Sequence, residues 1–168
     1  MGRKNRRKKS EYRDRLGFNP QKYICPGVPR SRMRFPQRGD IWYAELYSHF
    51  GTCVQRGRCP VMILSNNIGN AYAETLNVLP LTRGLKKPNL PCHIKLDPDC
   101  VSDRRRAMDV SMILAEQITT IDKSELRGYV GHVKDDAVLS SVNHAVSMQL
   151  GLESIGGQEN SNERGAVI

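Results

Sequence analysis

The sequence has no apolar run long enough to cross a membrane. Its longest uninterrupted apolar stretch is the five-residue segment 60–64, whereas a transmembrane helix needs about 20 such residues. The charged N-terminus is not followed by the apolar segment of a secretory signal. These absences favour a cytoplasmic protein that makes no membrane contact.

Familiar hydrolase motifs are also missing. The chain contains no GxSxG, no HExxH, no glycine-rich phosphate loop and no group of acidic residues suited to magnesium. Its four histidines are scattered, and His132 and His144 are predicted to be surface residues rather than catalysts. Catalysis by this chain is therefore expected to need no metal ion, no cofactor and no pair of histidines.

The five cysteines fit neither a disulfide framework nor a zinc site. Their number is odd and no two of them form a CxxC pair, so reduced thiols are expected. Cys92 and His93 are neighbours, and neighbouring residues on a β-strand point to opposite faces. The ligand spacing of a structural zinc site is absent, and no metal site is predicted.

The net charge of +9 is unevenly distributed along the chain. Residues 1–34 contain 12 Lys or Arg and two acidic residues, whereas residues 35–168 contain 14 and 15. Charge and composition together divide the chain into a basic, disordered arm (1–36), a folded domain (37–152) and a polar, flexible tail (153–168).

The basic arm has two interpretations. A solvated tail would only increase solubility, whereas an arm that contacts phosphate groups would add salt-dependent affinity for nucleic acid. The second interpretation predicts RNA as the partner and DNA as an alternative. The residues expected to make these contacts are Lys4, Arg6, Arg7 and Lys8.

Short β-rich segments separated by turn residues predict a mainly β (α+β) domain. The predicted strands cover residues 40–46, 61–64, 75–81 and 92–96, and residues 110–113, followed by 115–118, give at least one more. The nearly all-apolar segment 61–64 is expected to be buried on both faces. Residues 47–59 are predicted to form a polar loop and 65–70 a turn. Short strands followed by helices favour a small, strongly curved barrel.

Two helices are predicted towards the C-terminus. Asp122 and Glu125 have the spacing of a capping box, which would start a short helix that Gly128 weakens or ends. Residues 135–136 begin a longer helix that Gly151 ends. The residues expected to form the buried face of this helix are Leu139, Val142, Val146 and Leu150.

Four segments of the domain match one protein family in order and at near-family spacing. They are 38–46 (RGDIWYAEL), 60–70 (PVMILSNNIGN), 78–82 (VLPLT) with 90–94 (LPCHI) after it, and 111–123 (SMILAEQITTIDK). Over about residues 37–152 the chain resembles the MazF/PemK-type toxins of type II toxin–antitoxin systems.

The resemblance implies an SH3-like β-barrel with a C-terminal helix, assembled as a homodimer. Members of the family cleave single-stranded RNA at short sequences without a metal ion, and a cognate antitoxin inhibits them by lying across the RNA groove. The 2′-OH of the RNA acts as the nucleophile, which leaves a cyclic phosphate and a 5′-OH. An Arg and a Thr carry much of this chemistry, and Thr82 lies at the family's Thr position.

The catalytic arginine position departs from the family pattern. The family loop ends Gln-Gly-Gly-x-Arg-Pro, whereas residues 55–60 read Gln-Arg-Gly-Arg-Cys-Pro. If both ends of this stretch are aligned with the ends of the family pattern, Cys59 occupies the Arg position. If the alignment runs from the start of the loop, Arg58 occupies it. Because a neutral thiol cannot stabilise phosphate charge, Arg58 is predicted to be catalytic, with Arg56 as the next candidate.

The same resemblance implies the residues that contact RNA. They are Gln55, Arg56, Gly57 and Gln117. Glu116 is expected to be ion-paired across the barrel, because a buried carboxylate needs a partner. The segment 104–106 is predicted to be a solvated loop, with RNA contact as an alternative.

Two other functions compete with a ribonuclease. One is a catalytically weakened barrel that binds nucleic acid or antitoxin, which the unusual arginine position favours. The other is a folded regulator whose groove binds a protein segment and no RNA.

Overall fold

The computed structural model describes residues 35–47, 51–85 and 87–152. The predicted tail (153–168) and the arm up to residue 34 lie outside this part of the chain, and so do the predicted RNA contacts Lys4, Arg6, Arg7 and Lys8.

The described residues form a half-barrel of eight antiparallel strands. The strands are β1 (Asp40–Leu46), β2 (Gly57–Ile63), β3 (Thr75–Arg83), β4 (His93–Leu96), β5 (Val101–Ser102), β6 (Ser111–Leu114), β7 (Thr119–Asp122) and β8 (Leu126–Val133). Their order in the sheet is β4-β6-β3-β2-β1-β8-β5. The end of β3 pairs with β6 and its beginning pairs with β7. This sharing bends the sheet, and the predicted mainly β class with a C-terminal helix is confirmed.

β2 is buried on both faces, as its apolar sequence predicted. Met62 belongs to one hydrophobic cluster, together with Ile41 and Leu79. Val61 and Ile63 belong to a second cluster. Because successive residues of a strand point to opposite faces, β2 divides the core into two parts.

The hairpin of β1 and β2 is longer than the sequence pattern predicted. β2 begins at Gly57, which pairs with Leu46, so residues 57–59 belong to a strand and the prediction that they form part of a loop was wrong. The sequence Gly-Arg-Cys shows no local strand pattern. Its extended conformation comes from backbone pairing with β1, which local alternation does not reveal.

The predicted turn at 65–70 contains a short helix, α1 (Asn67–Tyr72). The Asn66 side chain accepts a hydrogen bond of 2.8 Å from the backbone N–H of Gly69. Asparagine and glycine favour both turns and helix N-termini, so the composition of the segment did not distinguish the two.

The predicted capping box is present, but it starts a single 3₁₀ turn (Lys123–Glu125) rather than a longer helix. The chain then enters β8, so the prediction that Gly128 ends a helix was wrong. A second glycine of β8, Gly131, faces β5, where a Cβ atom would lie 2.5 Å from the Val101 side chain. Glycine there allows the two strands to approach closely.

The predicted C-terminal helix is confirmed as α2 (Asp136–Gln149). The Asp135 carboxylate caps it by accepting a 2.8 Å bond from the N–H of Ala137. Val142 is fully buried, whereas Leu150 is 57% exposed and was wrongly predicted to lie on the buried face. Leu150 follows the last helical residue, and the chain turns away at Gly151 (φ +67°). No helix in the described ranges is both long and apolar enough to span a bilayer.

Candidate active site

A cleft of about 290 Å³ opens where β2 begins and β3 ends. Antiparallel pairing brings these two strand ends to the same edge of the sheet. The segment 107–111 closes the other side. We call this space the Arg58 cleft. Its lining residues include Tyr43, Gln55, Arg58, Thr82, Arg83 and Asp109.

Both residues predicted to be catalytic line this cleft. Arg58 is exposed and lies opposite Glu45 in the β1–β2 register. Thr82 is 8% exposed and lies opposite Met112 of β6. A cation and a hydroxyl that converge on one cleft form a suitable environment for a phosphodiester, whose negative charge increases in the transition state.

Cys59 follows Arg58 directly in the chain but is buried, whereas Arg58 is exposed. Its side chain is 9% exposed and belongs to the hydrophobic cluster with Ala44 and Val61. Burial, together with the charge of Glu45, raises the pKa of the Cys59 thiol to about 11. The thiol is therefore neutral at pH 7 and supplies no positive charge. Cys59 also lines the cleft, but the positive charge at this end of β2 comes from the exposed Arg58.

Tyr43 is a component of the site that the sequence pattern did not identify. The guanidinium carbon of Arg58 lies 5.8 Å from the centroid of the Tyr43 ring, and that of Arg106 lies 5.5 Å from it. Cation–π contacts of this kind are worth about 0.5–1 kcal/mol at exposed positions. Two cations are thus held beside one aromatic ring at the mouth of the cleft.

The segment 104–106 is not only a solvated loop. Arg106 contacts Tyr43, and the guanidinium carbon of Arg105 lies 5.9 Å from the ring centroid of Tyr129. With Arg83 in the lining, these residues make the surroundings of the cleft cationic. The run of three arginines was visible in the sequence, but its position over β1 depends on a long-range contact.

Gln117 holds the loop that leads into β2. Its Oε1 accepts a 2.8 Å hydrogen bond from the N–H of Gln55, and its Nε2 donates to the carbonyl of Cys53 at 3.4 Å. Gln117 also lines a second cleft of about 220 Å³, and Gln55 lines both clefts. The amide of Gln117 therefore positions the loop in this structure.

The other two predicted RNA contacts lie where this loop enters β2. Arg56 is exposed, and Gly57 adopts a φ of +72° at the start of β2. A side chain at this φ would be strained, so Gly57 determines how the chain enters the strand that carries Arg58. Neither residue lines the described clefts.

Glu116, for which the sequence predicted an ion pair across the barrel, lies beside His93. It lies in a 3₁₀ turn (Ala115–Gln117) rather than in a strand, and its Oε1 lies 3.1 Å from Nε2 of His93 on β4. His132, predicted to be a surface residue, is half-buried, and its Nδ1 lies 2.8 Å from Oδ1 of the fully buried Asp40. His144 lies on α2, as predicted.

Comparison with known sequences identifies one family. Residues 37–150 match the model of a family described as a PemK-like, MazF-like toxin of a type II toxin–antitoxin system. Endoribonuclease EndoA of Bacillus subtilis is 35% identical over 116 residues, which cover 69% of this chain and 95% of that protein. Endoribonuclease MazF of Staphylococcus saprophyticus is 33% identical over 119 residues, covering 71% and 94%.

Solved structures with similar folds come from the same group. An endoribonuclease in complex with its cognate antitoxin, from a mycobacterial species, has 25% identity and a TM-score of 0.54, covering 71% of this chain and 98% of its own. A structure of MazF from Deinococcus radiodurans has 19% identity and a TM-score of 0.55, covering 71% and 99%. At this lower identity the second likeness concerns the fold alone.

Proposed function

The chain belongs to the PemK-like, MazF-like toxin family of type II toxin–antitoxin systems, and we propose that it is an endoribonuclease toxin inhibited by a cognate antitoxin. Its substrate in this proposal is single-stranded RNA in the cytoplasm, cleaved at short sequences by a homodimer of the 37–152 domain. The observation that carries the proposal is that Arg58 and Thr82 line one cleft.

The reaction needs no group beyond the RNA and the protein. The 2′-oxygen bonds to the adjacent phosphorus, and the bond from phosphorus to the 5′-oxygen breaks. The 2′-OH loses a proton and the leaving 5′-oxygen gains one, so the products are a 2′,3′-cyclic phosphate and a 5′-OH. Arg58 stabilises the charge on the phosphorane oxygens, and the Thr82 hydroxyl donates to the same group.

The surroundings of the cleft suit a single strand of RNA. The guanidinium groups of Arg58 and Arg106, which lie over the Tyr43 ring, offer positive charge for phosphate groups and planar surfaces on which a base can stack. In this proposal Gln55, which lines both clefts, and the exposed Arg56 contact neighbouring nucleotides. Gln117 keeps this loop in position through the N–H of Gln55.

A second candidate function is a toxin-like binding module without cleavage. The observation that favours it is the buried, neutral Cys59 at one of the two possible positions of the family's arginine. In this alternative the two clefts bind RNA or an antitoxin segment, and no bond is broken. The same assay distinguishes the two functions.

The full chain is expected to cleave single-stranded RNA in buffer containing EDTA. The 3′ ends should carry a cyclic phosphate and the 5′ ends a free hydroxyl, because the nucleophile is internal. The same sequence made as DNA lacks the 2′-OH and should stay intact. If the chain bound the RNA but left it intact, the binding module would be the correct function. If the DNA strand were cleaved, attack by the 2′-OH would be excluded as the mechanism.

The basic arm is expected to increase RNA affinity through phosphate contacts. Each contact with a single strand contributes about 0.7 to the slope of log K against log salt. Replacing four cations of the arm with glutamine should therefore lower this slope by up to about 3 units. The four residues are Lys4, Arg6, Arg7 and Lys8.

The matched control removes four exposed cations of the folded domain that do not line the Arg58 cleft. These are Lys87, Lys95, Arg127 and Lys134. We expect this control variant to change the slope of log K against log salt less than the arm variant does. Equal slopes for the arm variant and the wild type would show that the arm only increases solubility. Repeating the titration with DNA tests the alternative ligand.

A further inference from the structure

Three side chains outside the Arg58 cleft bring a sulfur, a nitrogen and an oxygen together. The donor atoms of Cys92, His93 and Glu116 all lie within 4.8 Å of one another. We propose that these residues form a zinc-binding site with three protein ligands. The site is separate from the proposed RNA cleavage, which needs no metal.

His93 is arranged as a metal ligand usually is. Its side chain is 7% exposed, and its Nδ1 lies 3.1 Å from the carbonyl oxygen of Lys87. A carbonyl only accepts hydrogen bonds, so Nδ1 carries a proton there. In the neutral ring this leaves the lone pair on Nε2, which faces Glu116. Histidines that bind metals are commonly oriented by such a bond to a backbone carbonyl.

The two nitrogens of His93 therefore both face acceptors. Nε2 lies 3.1 Å from Oε1 of Glu116. A cation between these two atoms would contact a ring nitrogen and a carboxylate oxygen at the same time. Zinc satisfies both groups at once, because imidazole nitrogen and carboxylate oxygen are common ligands for it.

The second oxygen of Glu116 provides an independent observation. Oε2 is buried and has no hydrogen-bond partner among the described residues. An unpaired buried carboxylate oxygen is costly. The negative charge of a carboxylate is spread over both of its oxygens. A cation bound beside the imidazole and the thiol would therefore also neutralise the charge on Oε2.

Cys92 supplies the third ligand because it precedes β4. The strand begins at His93, so the alternation of neighbouring strand residues, on which the expectation of no metal site was based, does not apply. The carbonyl of Cys92 accepts a 2.9 Å bond from the N–H of Ala115, which holds the residue beside the turn that carries Glu116. The thiol and the imidazole can therefore approach the same point.

The distances are close to those of a zinc site. Zinc binds sulfur at about 2.3 Å and nitrogen or oxygen at about 2.0–2.2 Å, so tetrahedral donor atoms lie about 3.3–3.6 Å apart. The pair Nε2–Oε1, at 3.1 Å, is already near this separation. The other donor atoms lie within 4.8 Å of one another, so side-chain rotations that move them by about 1 Å bring all three to this separation. A mixed set of sulfur, nitrogen and oxygen favours zinc over magnesium or calcium.

The test measures zinc binding by the full chain after removal of metals, using competition with a coloured chelator. We expect one zinc per chain, and cobalt in its place should give a thiolate-to-cobalt absorption band. Cys92→Ala should remove this band, and both it and Glu116→Gln should weaken zinc binding by on the order of 100-fold, since even outer-shell changes cost 10–100-fold. Circular dichroism checks that each variant folds.

The matched control is Cys100→Ala. Cys100 is also half-buried and its thiol lies 3.4 Å from a carboxylate, that of Asp135, but it is not part of the cluster of three donors. This variant should bind zinc as the wild type does. Equal weakening in Cys100→Ala and Cys92→Ala, or no zinc bound by the wild type, would overturn the proposal.

Discussion

Replacing Arg58 with alanine is expected to slow RNA cleavage by on the order of 100-fold or more, as the loss of one preorganised donor to a transition state typically does. The guanidinium lines the cleft that Thr82 also lines. The fold should be retained, because Arg58 is exposed near the start of β2. Single-turnover cleavage of trace RNA by a saturating concentration of enzyme separates this effect from weaker binding.

Three further variants test whether the slower cleavage by Arg58→Ala comes from loss of the guanidinium in the cleft. Arg58→Lys keeps the charge but loses the planar guanidinium, and should recover only part of the rate. Arg127→Ala removes an exposed arginine of β8 that does not line the cleft and should cleave as the wild type does. Thr82→Ala should also reduce the rate. Wild-type cleavage by Arg58→Ala would show that the assignment is wrong, and Arg56 would then be tested.

Much of the fold follows from patterns that are local in the sequence. β1 was predicted with its observed bounds because it is a short β-rich segment bounded by turn residues. α2 was predicted from its acidic start, its apolar face and the glycine after its end. The segment 61–64 was predicted to be buried because it is almost entirely apolar. In these cases the residues that specify an element lie within it.

The site was only partly predictable, because its arrangement depends on strand pairing. Arg58 and Thr82 were identified through family resemblance, but the sequence left Arg58 and Cys59 as alternatives for the arginine. Pairing of β2 with β1 from Gly57 onwards decides which of the two is exposed. The contacts of Tyr43 with Arg58 and Arg106 join three separate segments, and no local pattern indicates them.

Replacing Cys59 with arginine is expected to unfold the chain or destabilise it strongly, although this change restores the family residue in one of the two alignments. On the sequence alone, that alignment predicts increased cleavage. In the structure the side chain at this position is 9% exposed and packs with Ala44 and Val61. An unpaired charge buried at such a position costs about 3–5 kcal/mol. The melting temperature should fall by roughly 10 °C.

The matched variant is Cys59→Val, which keeps an apolar side chain of similar size in the same space. Its effect on stability should stay below about 1.5 kcal/mol, as is usual for volume-conserving core changes, and its cleavage rate should equal that of the wild type. Thermal unfolding followed by circular dichroism measures both variants, and the RNA assay is run below their melting temperatures. If Cys59→Arg melted near the wild type and cleaved RNA faster, the arginine would reach the cleft from this position. The family alignment on Cys59 would then be correct, and Arg58 would lose its proposed role.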